Sequence, residues 1–179
     1  MRQIVIDGLL KAIDPTLVFQ EDLYDYVPRF VLKVEKGGTL YVLKAFNSSD
    51  EWEKDHITTE VRGLELARDV GGITHLVHNY GTICGYNAIL KEYREGRQPL
   101  RGELQSRSLQ RQLEDTITQL HERGLAKLEV AKRNIIIAPD RQRVSIIDLG
   151  SCLFHDEMSP SLFEDWKEMD WQMYRNVIG

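Results

Sequence analysis

Phe30-Val31-Leu32-Lys33-Val34-Glu35-Lys36-Gly37-Gly38-Thr39-Leu40-Tyr41-Val42-Leu43-Lys44-Ala45-Phe46 is the stretch on which the reading of this chain turns. Two runs rich in aliphatic, β-branched and aromatic residues flank Gly37-Gly38, and paired glycines supply the positive φ of a tight hairpin turn at little cost. The stretch predicts two antiparallel strands over 30–34 and 39–46. Successive side chains of a strand point to opposite faces, so Leu40, Val42 and Lys44 share one face and Tyr41, Leu43 and Ala45 the other. On its own, Lys44 reads as an ordinary solvated strand lysine.

Working outward, Leu17-Val18-Phe19 predicts a strand before the hairpin. Ser48-Ser49-Asp50 can cap a helix whose first turn carries Glu51 and Glu53. Ile57, Val61, Leu64 and Ala67 keep helical spacing up to a stop at Gly71-Gly72. Residues 76–80 and 86–93 read as strands joined by a turn over Gly81 to Gly85. Residues 104–123 predict a helix with Leu109, Leu113, Ile117 and Leu120 on one apolar stripe, ended by Gly124. An irregular stretch over 125–134, a strand over 135–138, a turn at Pro139-Asp140, a strand over 143–147 and a helix over 164–177 complete the chain. Five strands with one inserted helix, followed by a mainly helical part, make an α+β fold.

Composition bounds the function. The 179 residues suit one domain, or two small lobes sharing a cleft. With 42% apolar and 28% charged residues, the chain has ordinary globular usage, which excludes bulk disorder. A net charge of -5 argues against a duplex-DNA binder, which carries a basic footprint. Arg94, Arg97, Arg101, Arg107 and Arg111 read as a solvated face. Cys84 and Cys152 are too few for a disulfide scaffold or a cysteine zinc site. His75, His78, His121 and His155 show no metal-ligand spacing. No run approaches the roughly 20 apolar residues of a membrane span. Early charges at Arg2, Asp7, Lys11 and Asp14 break any secretory core, so an intracellular, cytoplasmic location is the expectation.

Four segments in order resemble the protein-kinase-like superfamily over residues 17–178. Leu40-Tyr41-Val42-Leu43-Lys44 is similar to the strand ending in the family's nucleotide lysine. Ile89-Leu90-Lys91-Glu92-Tyr93-Arg94-Glu95-Gly96 resembles the hinge. His121 to Ile137 looks like the catalytic loop, which follows a helix and a glycine and ends in asparagine and an aliphatic strand. Ile146-Ile147-Asp148-Leu149-Gly150 is similar to the metal-binding aspartate turn. The resemblance implies a two-lobed fold: a five-stranded N-lobe sheet plus one helix over about 1–91, a hinge over 92–97, and a truncated, mainly helical C-lobe over 98–179. It implies ATP and Mg²⁺ as ligands. Lys44 would contact the phosphates with Glu60 as its helix partner. Glu65 competes for that role, but points about 140° away at roughly 100° per residue. Glu92 and Tyr93 would present backbone groups to adenine, Asn134 and Asp148 would hold the metal, and Glu129 would be the catalytic base.

The departures from the family are specific. The base position holds Glu129 instead of aspartate, and a methylene of misplacement of that order can cost about 10²-fold in rate. Lys127-Leu128 replaces the usual histidine and arginine. The connection Gln20-Glu21-Asp22-Leu23-Tyr24-Asp25-Tyr26-Val27-Pro28-Arg29 has no glycine and three carboxylates where the family has a glycine-rich phosphate loop; Arg29 is the residue there that could compensate. Lys91 stands before the hinge where the family has an apolar side chain. Only 29 residues follow Gly150, so the layout resembles compact relatives such as RIO-type kinases. Two readings stay open. One is an atypical ATP-dependent phosphotransferase acting on a protein or small-molecule hydroxyl. The other is an inactive pseudokinase serving as a protein-interaction or regulatory module, for which Trp166 and Trp171 could form a partner surface. A plain α+β domain is the third.

Overall fold

The hairpin forms as its turn chemistry requires. In the computed structural model, which describes residues 2–24 and 29–179, β2 (Phe30–Lys36) and β3 (Thr39–Asn47) pair antiparallel from Phe30↔Ala45 to Lys36↔Thr39. Gly37 and Gly38 sit between them at φ 59° and 81°, a region that side chains with a Cβ rarely adopt. β1 (Val18–Asp22) adds to β2, β5 (Tyr86–Glu92) to β3, and β4 (Leu76–Ile83) to β5. The result is a five-stranded antiparallel sheet in the order β1-β2-β3-β5-β4. Asp25 and Pro28 of the glycine-free connection lie outside the described residues.

The chain divides into two units, Met1–Val61 with His75–Tyr93, and Arg62–Thr74 with Arg94–Gly179. The first holds the sheet and a helix that the sequence reading passed over. That helix, α1 (Arg2–Ile13), buries Ile6, Leu9, Leu10 and Ile13 against Leu32, Val34, Leu43, Ala45, Ala88 and Leu90 of the sheet. The expected single helix beside the sheet is therefore corrected to two. The spacing 6, 9, 10, 13 is that of one helix face. Pro15 ends the helix by disfavouring the α region at Asp14. The opposite sheet face, with Val31, Phe46 and Ile89, packs on Ile57 and Val61 of α2 (Glu51–Leu66). Asp50 caps α2 by accepting the Glu53 N–H at 3.0 Å.

Asp14 fastens α1 to the sheet. Its carboxylate accepts hydrogen bonds from the Lys36 ammonium (2.8 Å), the Thr16 hydroxyl (2.6 Å) and the Tyr80 phenol (2.9 Å). The Lys36 bond first, then the Thr16 hydroxyl, holds the carboxyl well below the usual aspartate range. A depressed folded pKa stabilises above the unfolded pKa and loses that stabilisation as pH falls. Asp14→Asn should therefore destabilise the chain at pH 7, by a gap that begins to close only as pH falls through about 4 and closes fully only below the depressed folded pKa. Urea unfolding in a series from pH 7 down to about pH 2 measures this; a gap that does not shrink across the series would contradict it.

The second unit is mainly helical. α3 (Arg107–Glu122) buries the expected stripe Leu109, Leu113, Ile117 and Leu120, and Gly124 ends it at φ 77°. It starts three residues later than expected, because Leu104 is buried in a separate turn over Glu103–Gln105. α4 (Pro160–Ile178) starts four residues earlier than expected. The Ser159 hydroxyl accepts the Leu162 N–H at 3.3 Å, and Pro160 takes the first helical position, where its missing N–H costs nothing. Two short antiparallel pairs complete the unit: β6 (Leu125–Ala126) with β9 (Leu153–Phe154), and β7 (Ile135–Ile137) with β8 (Val144–Ile146). Trp166 and Trp171 are half-buried. Trp171 lies edge-on to His121 and Tyr174, and Lys127 lies over Trp166, so both indoles lie against neighbouring side chains. No helix among the described residues is long and apolar enough to cross a membrane.

Candidate functional site

In the first unit, strand alternation puts Lys44 of β3 on the sheet face covered by α2. There its Nζ donates to Glu60 Oε2 at 2.7 Å. Lys44 keeps 5% of its surface exposed and Glu60 none. The lysine that reads locally as a solvated strand residue is thus a buried one. Glu65, the competing partner, is exposed. The other Glu60 oxygen accepts from Lys91 of β5, itself 2% exposed. A buried ammonium is costly unless paired, and Glu60 meets that need for two lysines at once. Register places them together: Val42 faces Lys91 and Lys44 faces Ile89 across the β3–β5 pair. The sequence marks Lys91 as out of place before the hinge but does not give its partner, Glu60. The available signal was a lysine among the apolar residues Ala88, Ile89 and Leu90 of a central strand.

The hinge candidates lie at the end of β5 and just beyond it. The Glu92 N–H donates to the His75 carbonyl at 3.0 Å, so this donor serves the β4 side of the sheet. Its carboxylate pairs with His75 Nδ1 at 3.0 Å. The Tyr93 ring lies 4.5 Å from Lys33 Nζ. Arg29, the cation at the end of the glycine-free connection, donates to Glu53 Oε1 at 3.1 Å. Its guanidinium lies 4.4 Å from the Trp52 ring centroid. Glu53 also accepts the Asn47 N–H at 2.9 Å, so Arg29 is drawn to the start of α2.

In the second unit, Asn134 and Asp148 lie on segments tied by a bond from the Ile147 N–H to the Asn134 carbonyl at 3.0 Å. Asp148 Oδ1 accepts the Gly150 N–H at 2.8 Å, which turns the chain sharply. Asn134 Nδ2 donates to the Glu129 carbonyl at 3.1 Å, which fixes the amide so that its oxygen is the group available as a ligand. One carboxylate and one amide oxygen match what Mg²⁺ takes from proteins, which supply one or two oxygens and leave the rest to water and phosphate. The candidate base, Glu129, accepts from Arg133 at 3.2 Å and is one-third exposed.

The loop before Asn134 holds its shape against local preference. Lys127 and Glu129 have φ of 54° and 46°, a left-handed conformation that costs a residue with a side chain roughly 1–2 kcal/mol. Asp170 of α4, buried to 1%, supports the residue between them. Its Oδ1 accepts the Leu128 N–H at 2.7 Å and its Oδ2 pairs with His121 Nε2 at 3.0 Å. Backbone strain of this kind clusters at active sites and ligand clamps. No protein-family model matches the chain, and no curated protein matches it significantly.

Proposed function

We propose that the chain is a compact, divergent protein-kinase-like domain that binds ATP with Mg²⁺ and transfers phosphate to a protein or small-molecule hydroxyl. Its first unit would correspond to the small lobe and its second to the large one. The observation that carries this reading is the buried Lys44–Glu60 pair. A lysine on an inner strand held by a helix carboxylate is what phosphate positioning asks for, since phosphoryl transfer depends on placement and charge neutralisation more than on covalent chemistry. Lys44 would engage the phosphates, and Glu60 would hold its ammonium in place. Asn134 and Asp148 would hold the cation, which neutralises phosphate charge when bound. Glu129 would accept the proton of the attacking hydroxyl.

A second reading is favoured by one observation. Glu129 is engaged by Arg133 and differs from the expected aspartate by one methylene, as a nucleotide-binding pseudokinase that serves a protein partner would tolerate. Glu129→Asp separates the two. A working base should keep or raise phosphate release from [γ-³²P]ATP when shortened to aspartate, and lose it at least about 10²-fold as Glu129→Ala. Equal, background-level release in all three proteins would leave the pseudokinase reading.

A further inference from the structure

We infer that Lys91 is a positioning residue that keeps Glu60 neutralised, so that Lys44 can leave the glutamate for a phosphate. The identity of the ligand rests on the nucleotide reading above; the clamp itself rests on the geometry of the first unit. Glu60 commits one carboxylate oxygen to each lysine and exposes nothing to water. In a two-membered pair, a lysine drawn to a ligand abandons a buried carboxylate, and the cost of that charge opposes ligand binding. With a second ammonium on the same carboxylate, that cost disappears. Lys91 suits the holding role because it stands on β5, between β3 and β4 in the sheet, and is almost fully buried. The resemblance anticipates an apolar side chain at this position, so the clamp is a property of this chain.

The test has two arms on the full chain. The first needs no ligand. Thermal unfolding is followed for Lys44→Met, Lys91→Met and the double variant. Each single change leaves Glu60 one ammonium and should lower Tm modestly. The double change should lower it by a further ten degrees or so, or prevent folding. Adding Glu60→Met to the double variant should restore the fold. Additive shifts in the double variant, or no rescue by Glu60→Met, would overturn the clamp.

The second arm is calorimetric titration with MgATP and with adenosine. When Lys91 is methionine, Glu60 retains Lys44. If Lys44 is then released only about a tenth of the time, ATP binds roughly tenfold more weakly. Adenosine, lacking phosphates, should bind unchanged, and Lys91→Arg should restore ATP affinity. An unchanged ratio of ATP to adenosine affinity would overturn the positioning role, because a purely structural Lys91 moves Tm and not that ratio. If the wild type binds neither compound, the nucleotide reading fails, and the clamp is decided by the first arm.

Discussion

Glu60→Gln is expected to destabilise the chain by about 3–5 kcal/mol, the cost of breaking a buried ion pair by removing one partner. The substitution keeps the shape of the side chain and removes only its charge. Two ammonium groups on one sheet face, 5% and 2% exposed, then lose the carboxylate that bridges them. Against a typical stability of about 5–15 kcal/mol, this is a large fraction. Glu65→Gln on the same helix is the control, since exposed substitutions usually stay within about 0.5 kcal/mol. Urea unfolding followed by circular dichroism measures both. Glu60→Gln within 1 kcal/mol of the Glu65→Gln control would contradict the buried triad.

Asp170→Ala should cost about 3 kcal/mol and loosen the loop that carries Glu129. Both oxygens of Asp170 are in use, one on the Leu128 N–H and one on His121. Losing them leaves a buried backbone donor unsatisfied between two residues already in left-handed conformations. Asp170→Asn keeps an acceptor for Leu128 and should cost less, nearer 1 kcal/mol. Hydrogen exchange separates loop from global effects. In Asp170→Ala, amides over 125–130 should lose protection before those of α3, whereas uniform loss would mean that Asp170 supports the helical unit as a whole.

Local chemistry made much of the fold legible. The Gly37-Gly38 turn, the cap at Asp50 and the stripe along α3 each depend on neighbours within a few residues, and each formed as read. α1 was legible too, in Ile6, Leu9, Leu10 and Ile13, but the segment's charges drew attention to targeting instead of to helical spacing. The start of α4 was written in Ser159-Pro160 and passed over in the same way. The site was legible only in part. Helical phase was enough to prefer Glu60 over Glu65 as the partner of Lys44. The Lys91–Glu60 bond joins residues 31 apart, and the Asp170–Leu128 bond residues 42 apart. Such partners depend on how the elements pack, which no local pattern encodes. The resemblance has Glu92 and Tyr93 present backbone groups to adenine, and strand pairing at the end of β5 commits one of these groups, the Glu92 N–H, to His75.

The most direct measurement of nucleotide binding is a thermal-unfolding titration with ATP, with and without Mg²⁺, on the wild type and on Asp148→Ala. At about 100 times the dissociation constant, a ligand stabilises the folded chain by roughly 2.7 kcal/mol, which is several degrees for a chain of this size. The account predicts a Mg²⁺-dependent rise in Tm that disappears in Asp148→Ala. No rise at millimolar ATP, with or without Mg²⁺, would contradict it.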